Sequence, residues 1–428
     1  MSIEELYKLF LASDGVTTDT RKVAPGKIFF ALKGERFNGN TFAAQAIDAG
    51  CSFSVIDEEE YHVEEGKTIL VDNVLKTLQA LAKHHRQQFK ATVIGLTGSN
   101  GKTSSKELIR DVLASTYKTY ATKGNLNNHI GVPLSLLEVT DEHEIAVIEM
   151  GANAQGEIRE LSTFSDPDLG FITNMGKAHL EGFGGIMGVR KGKRELYDHL
   201  HAKGAKIFVN AADAILMEES EGMDRTLYGT EEHHPIVELT DASGFVSFQW
   251  RNQEYASTEI HTKLTGAYNI GNIAIAVAIG THFNVATEKI NGAIASYEPS
   301  NNRSEMRSTG KNTVILDAYN ANPTSVKHAI DSFAQLKASN KLCILGDMFE
   351  LGEDSEKEHR AIMALTAELD LDTLFVGEMF AKASPPGVSI FHTTEVLLNA
   401  LKENPIKGKT ILLKGSRGMA LERLMEIL

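Results

Sequence analysis

Cysteine, proline and tryptophan are scarce in this sequence, which holds 2, 9 and 1 of them in 428 residues. The two cysteines, Cys51 and Cys343, stand far apart with no CxxC or Cys/His spacing, which speaks against a disulfide framework or a zinc site and leaves each as a buried thiol. So few prolines, beside 42% hydrophobic and 23% charged residues, do not fit a disordered or low-complexity chain. Basic residues are also in deficit. Lys plus Arg is 43 against 57 for Asp plus Glu, and the net charge of −14 opposes nonspecific binding to nucleic acid or to an anionic membrane. No apolar run approaches the roughly 18 residues of a membrane span, and the N-terminus MSIEELYKLF carries acids where a signal peptide needs basic residues. The expectation is a soluble cytoplasmic protein with no nucleic-acid partner and no membrane insertion.

What is present is alternation. At roughly 150 residues per domain the length predicts about three domains. Residues 1–90 alternate short apolar strands (KIFFAL, FSVI, TILV) with helical stretches such as TFAAQAIDAG, whose Gly50 reads as a helix stop, and form a small α/β unit. Residues 91–298 open on the β-branched run ATVIGLTG and continue with EIAVIEMG, LGFITNMG and AKIFVN, buried strands separated by helices as in a parallel sheet. Between 225 and 265 the pattern becomes that of a β-ribbon, in which Val246, Phe248 and Trp250 alternate with Ser247, Gln249 and Arg251. The helix NIGNIAIAVAIGTHF closes this domain and YEPSNNR is a linker. Residues 299–428 alternate again (TVILDAY, KLCILGD, TLFVG, TILLKG) and predict a Rossmann-like third domain. The fold class is α/β throughout.

The segment Gly98, Ser99, Asn100, Gly101, Lys102, Thr103, Ser104 lies between a buried strand and a helix, where a glycine-rich loop wraps backbone N–H groups around phosphate. Lys102 would meet the β- and γ-phosphates of a nucleoside triphosphate and Thr103 would ligate a bridging magnesium ion. The common GxxxxGK[ST] spacing would place glycine at 96, where this chain has Leu96, so the loop is a shorter variant. Glu149 ends the next strand at its carboxyl edge, where ligands of open α/β sheets bind. A carboxylate there serves as a metal ligand or equally as a cap or salt-bridge residue.

In GVRKGKRELYDHL the stripe Val189, Leu196, Tyr197, Leu200 includes Lys193, while Lys191 falls on the opposite side. An inward ammonium needs a carboxylate partner, a lowered pKa or a modification that removes its charge, unless its stem covers apolar surface while the head reaches water.

Taken together these residues resemble the Mur ligases of peptidoglycan synthesis. The resemblance runs through DTRKVAPGKIFFALKGERFNGN, TGSNGKT, GNLNNHIGVPLSLL, EMGANAQGEI, NMGKAHLEGFG, DAYNANPTS, LGDMFELG and KGSRG, and GNLNNHIGVP with DAYNANP is similar to the MurF branch in particular. That family's short phosphate loop accounts for Leu96. The resemblance implies that Lys102 and Thr103 meet triphosphate and magnesium and that Glu149 and His179 are further metal ligands. It also implies that Lys193 carries a carbamate, an anion made from its amine and carbon dioxide, and that Lys193 in this form is a fourth metal ligand that helps hold a second magnesium ion. Gly192 departs from the alanine more usual before that lysine, which loosens a helix by about 1 kcal/mol.

By the same resemblance Asn269 and Asn272 contact adenine, Arg303 reaches the phosphates, Asp317 holds the ribose, and Tyr319, Asn320, Asn322 and Pro323 form a nucleotide-facing loop. Thr18, Asp19, Thr20, Arg21, Lys33 and Gly34 resemble a uridine-nucleotide site, and Asn127, Asn128 and His129 with Asn322 face the muramoyl-peptide substrate. The implied reaction joins D-Ala-D-Ala to UDP-MurNAc-tripeptide through an acyl phosphate, with ATP and Mg2+, in a monomeric enzyme. Its rivals are a sibling ligase, a folylpolyglutamate synthase and a regulator that binds ATP without condensing anything.

Overall fold

The computed structural model describes residues 1–62, 66–300 and 302–428, so Asn301 of the linker lies outside the described residues. Three main sheets follow one another along the chain, accompanied by a three-stranded antiparallel sheet and a two-stranded one. The first is parallel, with strands in the order Val16–Thr17, Ile28–Phe30, Phe53–Ile56, Thr68–Leu70. The helices Ile3–Leu11, Ala43–Asp48 and Val74–Arg86 accompany it. Gly50, at φ +98°, follows the second of these helices as its stop.

The central sheet has six parallel strands in the order Arg225–Tyr228, Lys206–Asn210, Leu169–Ile172, Thr92–Thr97, Ile145–Glu149, Thr119–Ala121. Both neighbours of Thr92–Thr97 follow it in sequence, one reached on each side. The loops at its carboxyl end therefore diverge and open a crevice, the place where α/β sheets bind ligands. Leu96 is a fully buried strand residue paired with Phe171 and Glu149, so the phosphate loop cannot begin there.

The ribbon expected over 225–265 needs correction. Arg225–Tyr228 follows the helix Ala214–Glu219 and completes a βαβ crossover as an edge strand of the parallel sheet. The antiparallel part is a three-stranded sheet, Ile236–Asp241, Phe245–Arg251, Ile260–Thr265. Ser247, expected on its wet face, is buried because a register shift after Phe245 sets it opposite His261, whose Nδ1 is 2.8 Å from its hydroxyl. Trp250 is buried, with its indole N–H satisfied by Asn291 Oδ1 at 2.7 Å.

The helix Ile270–His282 is apolar on nearly all sides, and it is buried from Asn272 to Gly280, within a core shared by the central strands, the antiparallel sheet and the helix Lys102–Ala114. The third sheet runs Glu305–Ser308, Thr313–Leu316, Thr410–Lys414, Lys341–Gly346, Thr373–Val376, Ile390–Phe391 and is parallel except for its first pair. Cys51 and Cys343 are buried free thiols. Among the described residues no helix is long and apolar enough to cross a membrane.

Candidate active site

The loop after Thr92–Thr97 is shaped by two close approaches. A Cβ at Gly98 would overlap Thr173 Oγ1, and one at Gly101 would overlap Asn272 Oδ1, while both residues sit at positive φ (+148° and +79°). Glycine alone allows the loop to turn this tightly into the helix Lys102–Ala114. Lys102 folds back over the loop, its Nζ donating to Gly98 O at 2.6 Å and Ser99 O at 3.3 Å. Burial lowers its pKa to about 8, against the pull of Glu149 and with some help from the repulsion of Arg303.

Loop residues Ser99 to Ser104 line a cavity of about 400 Å3, together with Asn127, Asn128, His129, Glu149 and His179 from the central domain. Asn269 and Asn272 face it too, joined by a 2.8 Å hydrogen bond from Asn272 Nδ2 to Asn269 Oδ1. From the third domain come Arg303, Asp317, Tyr319, Asn320 and Asn322. Asn322 caps the helix Pro323–Gln335 and donates through Nδ2 to Asn100 Oδ1 at 2.7 Å, tying that domain to the phosphate loop. Asn128 is engaged locally, accepting from the amides of Ile130 and Gly131.

Glu149 is buried, and Oε1 accepts from Asn127 Nδ2 at 2.8 Å and from Thr103 Oγ1 at 3.3 Å. Oε2 has no hydrogen bond, and Lys106 Nζ stands 3.5 Å from it. Burial alone would raise this carboxyl's pKa, but Lys106, Lys102 and Arg303 outweigh it and hold the group ionised below its ordinary value. A buried carboxylate oxygen without a hydrogen bond, beside a threonine hydroxyl in a polar cavity, is a donor set that fits a hard divalent cation. Among the described residues no three His, Cys, Asp or Glu side chains gather into a metal cage. His179, at φ +51°, places Nδ1 2.5 Å from Glu350 Oε2 of the third domain.

Lys193 is buried and Lys191 exposed, as their spacing predicts. The Lys193 ammonium stands one layer behind the cavity wall, 3.4 Å from the carbonyl of Ala152, which lines the cavity, and 5.0 Å from the centroid of Phe183. Burial and the nearby Lys102 charge lower its pKa well below the usual range. Gly192 has a packing reason, since a Cβ there would overlap the Phe183 ring.

The six residues of the expected uridine site do not line one cavity. Thr18 and Asp19 face a second one, of about 940 Å3, between the N-terminal and central domains. Asp19 is occupied by Arg21, which donates from N, Nε and Nη2 at 3.0, 2.9 and 2.9 Å, and Thr20 begins the same short turn. Lys33 pairs with Asp57 and Glu58, each at 3.0 Å, on a two-residue strand with Gly34.

Four residues outside the sequence-derived set belong to this site: three line the cavity, and Lys106 stands behind Glu149. Lys414 is buried and its Nζ is 2.7 Å from Asp317 Oδ2. Its place at the carboxyl end of TILLK is the signal that singled out Glu149. Lys106 follows Lys102 by one helical turn. Tyr268 and His328, whose rings lie 15° from parallel with centroids 6.4 Å apart, had no local signal.

A short phosphate loop in a parallel α/β domain, faced by an arginine and an aspartate of a following α/β domain, agrees with three family profiles. They are described as Mur ligase family, catalytic domain (residues 13–86), Mur ligase middle domain (96–280) and Mur ligase, glutamate ligase domain (302–417). The chain belongs to the Mur ligase family. It is 37% identical, over 96% of its length and 92% of the relative's, to UDP-N-acetylmuramoyl-tripeptide–D-alanyl-D-alanine ligase of Bacillus subtilis strain 168. MurF from Acinetobacter baumannii superposes with a TM-score of 0.85 at 30% identity, covering 98% of this chain and 97% of that one. MurF ligase from Thermotoga maritima in complex with ADP gives 0.85 at 25% identity, with 97% of each chain covered. Within the family this chain is of the MurF type.

Proposed function

We propose that the protein is an ATP-dependent ligase that joins D-alanyl-D-alanine to UDP-N-acetylmuramoyl-tripeptide, giving the pentapeptide, ADP and phosphate. The observation that carries this reading is the shared cavity of Lys102, Thr103 and Glu149 with Arg303 and Asp317, in a chain that matches MurF proteins along its whole length. In this reading residues 1–90 take the uridine nucleotide, 91–298 hold ATP and the reacting groups, and 299–428 close over both.

The terminal carboxylate of the tripeptide attacks the γ-phosphorus, and the bond to the ADP oxygen breaks. Lys102 and Arg303 neutralise the oxygens that gain charge in this transfer. The amine of the dipeptide then attacks the acyl carbon and loses its proton, and inorganic phosphate departs as the amide forms. Asp317, steadied by Lys414, receives the ribose hydroxyls, and Asn272 the adenine. Thr103, Glu149 and His179 would hold magnesium, which would supply positive charge to the phosphates. Lys193, with its amine biased to the neutral form, adds to carbon dioxide with loss of one proton, and the resulting carbamate adds a negative group behind Ala152. Thr18, Asp19, Thr20, Arg21, Lys33 and Gly34 serve the uridine nucleotide, and Asn127, Asn128, His129 and Asn322 the muramoyl peptide.

The test incubates the protein with ATP, Mg2+, UDP-MurNAc-tripeptide and D-Ala-D-Ala and follows the UDP product by mass. Addition of the dipeptide is expected. Addition of a single amino acid instead would assign a sibling activity, and nucleotide binding without condensation would assign a regulator.

A further inference from the structure

Tyr268 and His328 bring two nearly parallel rings into the main cavity from different domains. Tyr268 belongs to the turn Ala267–Asn269 of the central domain, directly before Asn269. Gly266, at φ +89°, makes room for it, since a Cβ there would overlap the Tyr268 ring. The Tyr268 hydroxyl lies 2.8 Å from Ser304 Oγ, which fixes the ring at its far end. His328 stands on the third-domain helix Pro323–Gln335, where Asn322, Ser325 and His328 recur every third residue and share the side that lines the cavity. The two rings are 15° from parallel, with 6.4 Å between centroids. Carbon atoms in contact stand about 3.5–4.0 Å apart, so a flat ring held between two others needs about 7–8 Å. The pair falls short of that span by only about 1 Å, which a small outward shift of the third-domain helix supplies.

The amides beside this slot offer little to the edge of a base. Asn269 Nδ2 donates to Thr265 O at 2.8 Å and to Ser304 Oγ at 3.4 Å, and Asn272 Nδ2 donates to Asn269 Oδ1 at 2.8 Å. Asn272 Oδ1 in turn accepts from Ser105 Oγ at 2.9 Å. With these groups engaged, the faces of a bound ring are where this part of the cavity gains affinity.

We propose that Tyr268 and His328 clamp the purine base of the nucleotide between them, one ring from each domain, so that the bound base bridges the central and third domains. The proposal rests on the reading of this cavity as the ATP site.

The experiment titrates the full chain with ADP and Mg2+ by calorimetry. Tyr268→Ala and His328→Ala are each expected to weaken ADP binding roughly 5- to 150-fold, the range for loss of one base–aromatic stack. Tyr268→Phe and His328→Phe, which keep a flat ring, should stay near wild type. Proton NMR of bound ADP adds a readout that a merely structural role would not move. The adenine protons should shift upfield in the wild-type complex through the ring currents, and less in each alanine variant. If Tyr268→Ala fails to fold, His328→Ala, a change at an exposed side chain, decides the outcome together with the NMR shift. Unchanged ADP affinity in His328→Ala, equal losses in Tyr268→Phe and Tyr268→Ala, or adenine protons that do not move upfield would each overturn the clamp. A wild-type chain that does not bind ADP would overturn the underlying reading instead.

Discussion

The guanidinium carbon of Arg303 lies 3.7 Å from the centroid of the Tyr319 ring. Arg303 Nε is buried without a hydrogen-bond partner, so the flat ring is what holds this side chain toward the cavity. Arg417 approaches the same ring, with its guanidinium carbon 5.2 Å from the centroid. Stacking of this kind is worth about 0.5–2 kcal/mol, or roughly two- to thirtyfold in an equilibrium. Tyr319→Ala should lower kcat/KM for ATP by that factor and Tyr319→Phe should change it little, as steady-state kinetics with varied ATP would show. Equal losses in the two variants would assign the effect to the hydroxyl instead.

Lys102 sets a pH limit on nucleotide binding. Its pKa of about 8 in the nucleotide-free protein means that the cation is present below that pH and is lost above it. Phosphates require the cation, so affinity for ADP should be level below pH 8 and fall about tenfold per unit above it. Calorimetric titration between pH 6 and pH 10 measures this slope. Lys102→Ala should flatten the profile and abolish phosphate release with thermal unfolding unchanged. A wild-type affinity level to pH 10 would contradict the assignment of Lys102 to the phosphates.

Gly192 opposes two effects. Alanine there would gain about 1 kcal/mol of helix propensity. Its methyl would press into Phe183, a fully buried ring, and overpacking of this kind costs about 1–3 kcal/mol. Gly192→Ala is therefore expected to melt a few degrees lower than wild type, and because Phe183 also faces the Lys193 ammonium, to lose activity as well. A higher melting temperature with full activity would mean that the ring moves aside freely.

Lys193→Ala should lose most activity, and added formate or acetate should restore part of it by placing a carboxylate in the vacated space. Lys191→Ala should stay close to wild type, since that side chain is exposed on the other side of its helix. The assay is phosphate release with and without the short acid. A fully active Lys193→Ala, a dead enzyme that no carboxylate rescues, or a loss confined to Lys191→Ala would each count against a carbamate.

Much of the architecture was legible in the chain because its causes are local. The strands FSVI and TVIGLT are named by their own β-branched and apolar runs, and the turn at Gly50 by a residue that tolerates positive φ. Lys193 announced its burial through neighbours three and four positions away. The ribbon was less legible: an alternating pattern cannot tell that Arg225–Tyr228 joins a parallel sheet or that a register shift buries Ser247, since both depend on which strand lies alongside.

The sequence by itself determined the α/β alternation, the short phosphate loop and the inward lysine, all products of helix and strand periods and of glycine's backbone freedom. Only the tertiary structure decided that Lys106 faces Glu149, that Lys414 pairs with Asp317, and that Glu350 reaches His179 from another domain. The physical reason is that a charge finds its partner through strand order and domain docking. These bring together residues as far apart as 179 and 350, and no periodicity along the chain encodes such a meeting.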